Sequence, residues 1–305
     1  MQKILIIGGS GFIGTSIVQK LIKSSKIYIL DIKKNKKFNY AKYKNIKFIR
    51  GDIFKSKTFD KIKIHFDIVY YLAAKTSSKV SEDYPSECFN TNINGTLNLF
   101  NWATIYKPKK IIFTSSMSVY GEFAENAKET DLCKPTSFYG ISKLAGENIL
   151  LKLKIKKIKI VIFRLFNVYG PGQNFNNLLQ GMLSIYLAQA YTNKRIMVTG
   201  SLKRFRDFVF IDDVTEALTK KYKYNLKKDN IYNVGTGEKT YVHKLIKLIF
   251  NTLEIKQKVI LKKGHSGDTW GTYSDNKKLL SLGWKNKISL KIGLNKTIND
   301  LKKIK

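Results

Sequence analysis

The chain has 305 residues, 43% of them hydrophobic, which is enough for a sizeable buried core and too many for a disordered polymer. Lysine and arginine number 56 against 22 acidic residues, a net charge of +34, but the basic residues are spread along the whole chain without interleaved aromatics, so no specific nucleic-acid platform is expected. Two widely spaced cysteines and three scattered histidines speak against a disulfide framework and a metal site, and no run approaches the ~20 apolar residues that span a bilayer.

The first apolar run, Ile4–Ile7, has no leader-like segment before it, so a cytoplasmic protein with reduced thiols is expected. It reads as a strand and passes into Gly8-Gly-Ser-Gly11-Phe-Ile-Gly14 and a helical pattern over Phe12–Lys23. Strand, glycine turn and helix in that order suit a dinucleotide: glycines allow close backbone approach, and a helix N-terminus offers N–H groups to a pyrophosphate. Gly8, Gly11, Phe12, Ile13 and Gly14 are therefore candidate cofactor contacts. A second strand, Ile27–Leu30, leads to Asp31, twenty residues beyond Gly11. A carboxylate there accepts hydrogen bonds from ribose hydroxyls and repels a 2′-phosphate, which favours NAD over NADP.

The third strand, Ile46–Ile49, runs into Gly51-Asp52-Ile53, which places Asp52 and Ile53 on the adenine side. The fourth, Ile68–Leu72, ends in Leu72-Ala73-Ala74, small residues that let the backbone approach a cofactor. A helix is expected over Thr91–Tyr106, then a fifth strand, Ile111–Thr114, that continues into Ser115-Ser116-Met117-Ser118. The next helix, Tyr139–Leu153, carries a Tyr-x-x-x-Lys pair, Tyr139 and Lys143, on one face. An ammonium beside a phenol is expected to lower its pKa from about 10 toward neutrality and make it a usable general base. Six other Tyr-x-x-x-Lys matches occur in this lysine-rich chain. Context selects the pair at 139, because it follows a strand ending in hydroxyls, and doubly wound sheets bind ligands at such strand ends. Ser116 is the candidate partner for the same substrate oxygen, with Ser115 and Ser118 as alternatives.

After a sixth strand, Ile160–Arg164, the alternation gives way to helical stretches near 178–191, 212–224 and 241–252 and short strands near 196–198, 207–210 and 259–261. Strand–helix alternation predicts an α/β fold with a doubly wound parallel (Rossmann) sheet. The expected organisation is an NAD-binding domain over 1–167 and a smaller α/β substrate-binding domain over 168–305, with segments near 207–235 returning to the sheet.

Together these segments resemble the extended short-chain dehydrogenases, specifically the NAD-dependent epimerase/dehydratase family that includes UDP-glucose 4-epimerase. Besides the glycine turn and Tyr139–Lys143, the resemblance rests on Asn92–Thr96, Thr114–Gly121, Arg164–Gln173, Arg206–Asp213, Tyr232–Gly237, Gly267-Asp268 and Leu282-Gly-Trp284. It implies that Ser116, Tyr139 and Lys143 form the catalytic set, with Tyr139, Lys143 and Asn92 also near NAD. It implies sugar or phosphate contacts from Thr76, Ser116, Ser118, Asn167, Asn177 and Leu178, a diphosphate grip by Arg206, and a ribose contact from Asp268. Tyr71 and His265 stand where the family often has histidine and arginine. Dehydratases of the family carry an Asp-Glu pair where this chain has Met117-Ser118, and decarboxylases a glutamate at the Ser118 position. The expected activity is therefore an NAD-dependent nucleotide-sugar epimerase working through a 4-keto intermediate. A 4-keto-6-deoxy-sugar reductase is the alternative, with a dehydratase or decarboxylase behind it, and a non-enzymatic NAD-binding or nucleic-acid-associated protein more distant. The resemblance also implies a homodimer built on helices near 91–106 and 139–153, and no metal.

Overall fold

A computed structural model describes residues 1–179, 181–222, 230–264 and 270–304. The six β-branched runs form β1 (Gln2–Ile7), β2 (Ser25–Asp31), β3 (Ile46–Arg50), β4 (Ile68–Tyr71), β5 (Lys110–Ser116) and β6 (Lys159–Leu165). With β7 (Asn230–Val234) they make a seven-stranded sheet in the order β7-β6-β5-β4-β1-β2-β3, every neighbour parallel. Strand order reverses between β1 and β4. The crevice of a doubly wound sheet opens at the carboxyl ends of such a pair.

Alternate residues of each strand point to opposite faces, and both faces are covered. On one, Ile4, Ile6 and Phe163 pack against Ile17 and Val18 of α1 (Phe12–Leu21). On the other, Leu5, Ile7 and Phe113 meet Leu99 and Trp102 of α2 (Gly95–Tyr106) and Leu150 of α3 (Phe138–Leu151). A separate core joins α4 (Met182–Asn193), α6 (Val242–Leu253) and α7 (Leu290–Ile304) through Leu183, Leu187, Leu245, Ile249, Leu294 and Ile298. The intervening α5 (Ile211–Thr219) sends Val214, Ala217 and Leu218 back to the α1 face of the sheet. Phe12 and Ile13, the first residues of α1, pack against that separate core. The glycine turn is thus held between the sheet and the C-terminal half.

Two segments differ from the expected elements. The single helix expected over 91–106 is divided: a short helix, Pro85–Phe89, passes through a widened π turn, Asn90–Asn94, before α2 begins. The wide turn carries a buried Asn92 whose amide reaches two backbone groups, and such turns inside helices commonly serve a local polar requirement. In the C-terminal half, Phe208–Phe210 pairs with Asn167–Tyr169 rather than with the central sheet, which among the described residues receives only Asn230–Val234 from this region. Beside them, Phe205–Arg206, Thr240–Tyr241, Gly271–Ser274 and Phe123–Ala127 form a four-stranded sheet. Asp207 staples it: Oδ1 accepts from Thr236 N–H and Oγ1, both at 2.7 Å, and Oδ2 accepts from Gly237 N–H, Ser274 N–H and Ser274 Oγ at 3.1, 3.1 and 2.6 Å. No helix among the described residues is long and apolar enough to cross a membrane.

Candidate active site

At the end of β1 the chain turns through Gly8 with φ of +84°. A methyl group there would sit 2.6 Å from Ala73 N, so the backbone after β4 approaches as closely as only glycine permits. A methyl on Gly14 would collide with the Gly8 carbonyl oxygen, which sets how tightly α1 packs on the turn. No side chain caps the N-terminus of α1, so its first N–H groups are left to an anion. Asp31 accepts from Ser10 N–H at 2.9 Å and Ile32 N–H at 2.8 Å. Burial raises its pKa and these backbone donors oppose the rise. Asn35 and Tyr40 brace the turn from outside, Asn35 Nδ2 donating to Ser10 O at 3.2 Å and Tyr40 OH meeting Ser10 Oγ at 3.1 Å. A tight glycine cradle, an uncapped helix and a carboxylate at the second strand's end fit a dinucleotide.

Beyond β5, Ser116 caps a turn over Met117–Tyr120, accepting from Ser118 N–H at 3.1 Å while donating to Ser118 Oγ at 3.1 Å. Helix α3 starts where its free N–H groups find side chains: Gly140 N–H on Ser137 Oγ at 3.1 Å, Tyr139 N–H on Ser81 Oγ at 3.0 Å and Phe138 N–H on Glu82 Oε1 at 3.2 Å. This anchoring aims Tyr139 and Lys143 into a cleft of about 220 Å³. Ser116, Tyr139 and Lys143 line it together with Phe12, Ile13, Leu72, Ala74, Thr76 and Asn167.

The expected lowering of the Tyr139 pKa by Lys143 is corrected by the structure. Burial pushes the phenol up to about 12, and the Ser116 hydroxyl beside it works the other way. Lys143 is buried with its ammonium 4.3 Å from the centre of the Phe113 ring, and burial pushes it down to about 7 against the opposing pull of Glu147. The cause is the same for both: a dry pocket penalises whichever form carries charge. Glu147, one turn further along α3, is itself engaged by Arg164 of β6, Nε to Oε1 at 3.0 Å and Nη2 to Oε2 at 2.8 Å. Arg164 Nη1 donates to Tyr120 OH at 3.1 Å, and Tyr120 OH donates to Asn233 Oδ1 of β7 at 2.7 Å. One buried network therefore joins α3, β6, β7 and the Ser116 turn.

The other expected contacts lie in varied surroundings. Ala73 lies against Gly8 but does not line the cleft. Asp52 turns back on its own loop, accepting from Phe54 N–H at 3.1 Å, and Ile53 is buried under Gly95. Asn92 spends its amide within the protein, accepting from Lys75 N–H at 2.8 Å and donating to Lys75 O at 3.0 Å and Ser142 Oγ at 2.9 Å. Ser118 faces Ser116, and Asn167 lines the cleft while donating to Asp207 O at 3.0 Å. Asn177 accepts from Leu179 N–H at 3.1 Å, Leu178 is exposed, and neither lines the cleft; Gly181–Ser184 do. Arg206 is buried with Nη1 donating to Phe205 O at 2.7 Å and Trp270 O at 3.3 Å, also outside the lining. Asp268 and His265 fall outside the described residues, and Tyr71 meets Thr96 Oγ1 at 3.1 Å. Sequence reasoning missed Ser184, named Gln173 only as the end of the Arg164–Gln173 segment without giving it a role, and held Ser115 only as an alternative to Ser116. All three line the cleft, and Ser115 Oγ, Gln173 Oε1 and Ser184 Oγ are buried without a protein partner. Ser115 and Gln173 lie in segments that carry the family resemblance, whereas Ser184 lies in none.

Comparison with known proteins places the chain among relatives. A family model described as the NAD dependent epimerase/dehydratase family matches residues 4–235. A putative UDP-glucose 4-epimerase of Methanocaldococcus jannaschii is 34% identical over 98% of both chains. A dTDP-D-glucose 4,6-dehydratase of Dictyostelium discoideum is 32% identical over 77% of this chain and 58% of its own length. The crystal structure of a UDP-glucose 4-epimerase from Thermotoga maritima with UDP-glucose superposes with a TM-score of 0.90 at 30% identity, covering 99% of each chain.

Proposed function

Because the chain belongs to the NAD-dependent epimerase/dehydratase family, we propose that it is a nucleotide-sugar epimerase that inverts a sugar carbon by transient oxidation at C4. The observation that carries this reading is the composition of the cleft. Ser116, Tyr139 and Lys143 share its wall with the first turn of α1, and among the described residues no carboxylate lines it. Water elimination needs a further acid and base, whereas epimerisation needs only one group to handle the hydroxyl proton.

NAD, held along the wall that Phe12, Ile13, Tyr139 and Lys143 form, would supply the hydride acceptor and donor for the reaction. Tyr139 takes the C4 hydroxyl proton and gives it back to the ketone oxygen of the intermediate. Ser116, one strand end away, donates to the same oxygen and holds it toward the phenol. Lys143, in its charged form, favours ionised Tyr139. A positive charge on the bound nicotinamide ring would favour ionised Tyr139 and neutral Lys143. Burial of Tyr139 and Lys143 strengthens each of these interactions. Asn167 and the first turn of α4 are the proposed sugar and phosphate contacts. The proposed dimer contact lies on α2 and α3, where Leu97, Ile105, Ile141 and, just beyond α3, Ile155 are exposed by 41%, 71%, 40% and 80%.

The test is incubation of the purified protein with UDP-glucose, UDP-N-acetylglucosamine and dTDP-glucose, with no added cofactor, followed by product analysis. Formation of a C4 epimer without net change in cofactor redox state is expected. A 4-keto-6-deoxy product, or turnover only when NADH or NADPH is added and consumed, overturns the epimerase reading.

A further inference from the structure

Tyr139, Lys143 and Glu147 stand at intervals of four on α3 and so share one face of it. Lys143 is 3% exposed, Glu147 1% and Arg164 of β6 4%, so little water screens the three charges from one another. Side chains on a helix lean toward its N-terminus, which brings the Glu147 carboxylate back over the turn that carries Lys143. Arg164 fixes it there through both oxygens, at 3.0 and 2.8 Å. The result is a buried row of alternating sign: guanidinium, carboxylate, ammonium. The same guanidinium also braces the turn that Ser116 opens, Nη1 donating to Tyr120 OH at 3.1 Å and to Glu129 O at 3.3 Å.

As a stabilising device such a pair is poor, because burying two ions costs about as much as their attraction returns, and apolar side chains of similar volume often do better. What the pair does supply is one fixed negative charge beside an ammonium that has lost its water. Burial pulls Lys143 down to about 7, and Glu147 is first among the groups that pull the other way. At neutral pH a group poised there has its state decided by a single neighbouring charge. The other titratable groups around α3 do not provide one. Cys88 of the Pro85–Phe89 helix, Cys133 beside the ion pair and Tyr71 behind the Phe113 ring are each pushed toward their neutral forms by burial. Glu82 accepts the Phe138 N–H at the start of the helix, at 3.2 Å. Tyr139 is two helical turns from Glu147, about 11 Å along the axis, so the carboxylate acts on the lysine far more than on the phenol.

We propose that Glu147 is a positioning residue for the reaction, its negative charge, aimed by Arg164, holding Lys143 in the charged form that favours ionised Tyr139. Glu147 is not part of the cleft lining and acts only through Lys143. This role rests on Tyr139 being the proton acceptor of the proposed epimerisation.

The experiment compares wild type with Glu147→Gln and Glu147→Asp by two readouts. The first needs no substrate: the Lys143 side-chain resonance is followed against pH by NMR in lysine-labelled protein, assigned by its absence from Lys143→Met. Wild type is expected to titrate near pH 7, Glu147→Asp close to it, and Glu147→Gln about one pH unit lower or more. The second is kcat and KM against pH with the nucleotide sugar that the protein turns over. Glu147→Gln is expected to lower kcat about tenfold at pH 7 with KM unchanged, and Glu147→Asp to restore it. The deficit shrinks as pH rises, because a phenol without a charged lysine beside it still ionises at higher pH. Damage to the fold lowers kcat alike at every pH. Where Glu147→Gln does not fold, Glu147→Gln with Arg164→Gln leaves no unpaired charge and is expected to move the Lys143 titration in the same direction. An unmoved Lys143 titration in a folded variant overturns the proposal, and so does a kcat loss that is equal at all pH values. A protein that turns over none of the sugars fails the epimerase reading, while the titration still decides whether Glu147 sets the charge of Lys143.

Discussion

Burial acts on Tyr139 and Lys143 in opposite senses, pushing the phenol up to about 12 and the ammonium down to about 7, so the protein's own groups favour the neutral form of both. Catalysis needs at least the phenol to ionise, and Tyr139→Phe is expected to lower turnover by about 10²–10⁴-fold while NAD stays bound, measured by product formation and cofactor content. Lys143 has a stability consequence of its own. Its folded pKa lies below the unfolded value of about 10.4, so between pH 7 and 10 the unfolded chain holds more protons and stability rises with pH. The penalty is fully present below pH 7 and gone above the unfolded pKa. Lys143→Met is therefore expected to stabilise the protein by ~1–4 kcal/mol at pH 6, to gain little near pH 10.5, and to lose turnover. Urea unfolding at the two pH values checks the first part; equal gains at both would show that Lys143 is not held near neutrality.

At the scale of elements, the bond between α3 and β6 carries the most at stake. Glu147 and Arg164 are buried, bidentate and tied to Tyr120, so Glu147→Ala strands a guanidinium and is expected to cost about 3–5 kcal/mol in urea unfolding. The double change Glu147→Met with Arg164→Met is expected to cost much less, since no charge is left unpaired. Which elements were legible in the sequence follows from where their stability comes from. The runs that became β1 to β6 are rich in β-branched residues and, apart from the edge strand β3, buried on both faces, and the glycine turn and the Tyr139–Lys143 helix carry local signals, so pattern alone located them. Gly271–Ser274 and Phe205–Arg206 are short, and they exist because Asp207 gathers three distant segments, which no window of sequence displays. The divided helix at 85–106 has the same origin, an Asn92 amide drawn to Lys75 across 17 residues. Ser184 was invisible for another reason: what marks it is a missing partner, and sequence does not show that.

The molecule as a whole presents two surfaces that its charge and packing leave open. The exposed apolar side chains of α2 and α3 are the proposed contact between two copies, and Leu97→Glu combined with Ile141→Glu is expected to convert a dimer to a monomer in sedimentation velocity while leaving the sheet intact. A wild-type monomer at micromolar concentration would remove that proposal. The net charge of +34 should draw anionic substrates to the cleft, so kcat/KM for a nucleotide sugar is expected to fall as salt rises through the range where the Debye length shrinks from about 10 to 3 Å. The last strand of the large sheet has a consequence for how the protein is made. Asn230–Val234 leaves the ribosome only after roughly three-quarters of the 305 residues, and until then the flank of β6 offers its unpaired backbone to any passing strand. From the completion of β6 to the arrival of this strand, roughly a quarter of synthesis, the sheet thus holds an open, sticky seam that a chaperone or quick closure must guard, and a fragment ending shortly before residue 230 would be prone to clump rather than fold.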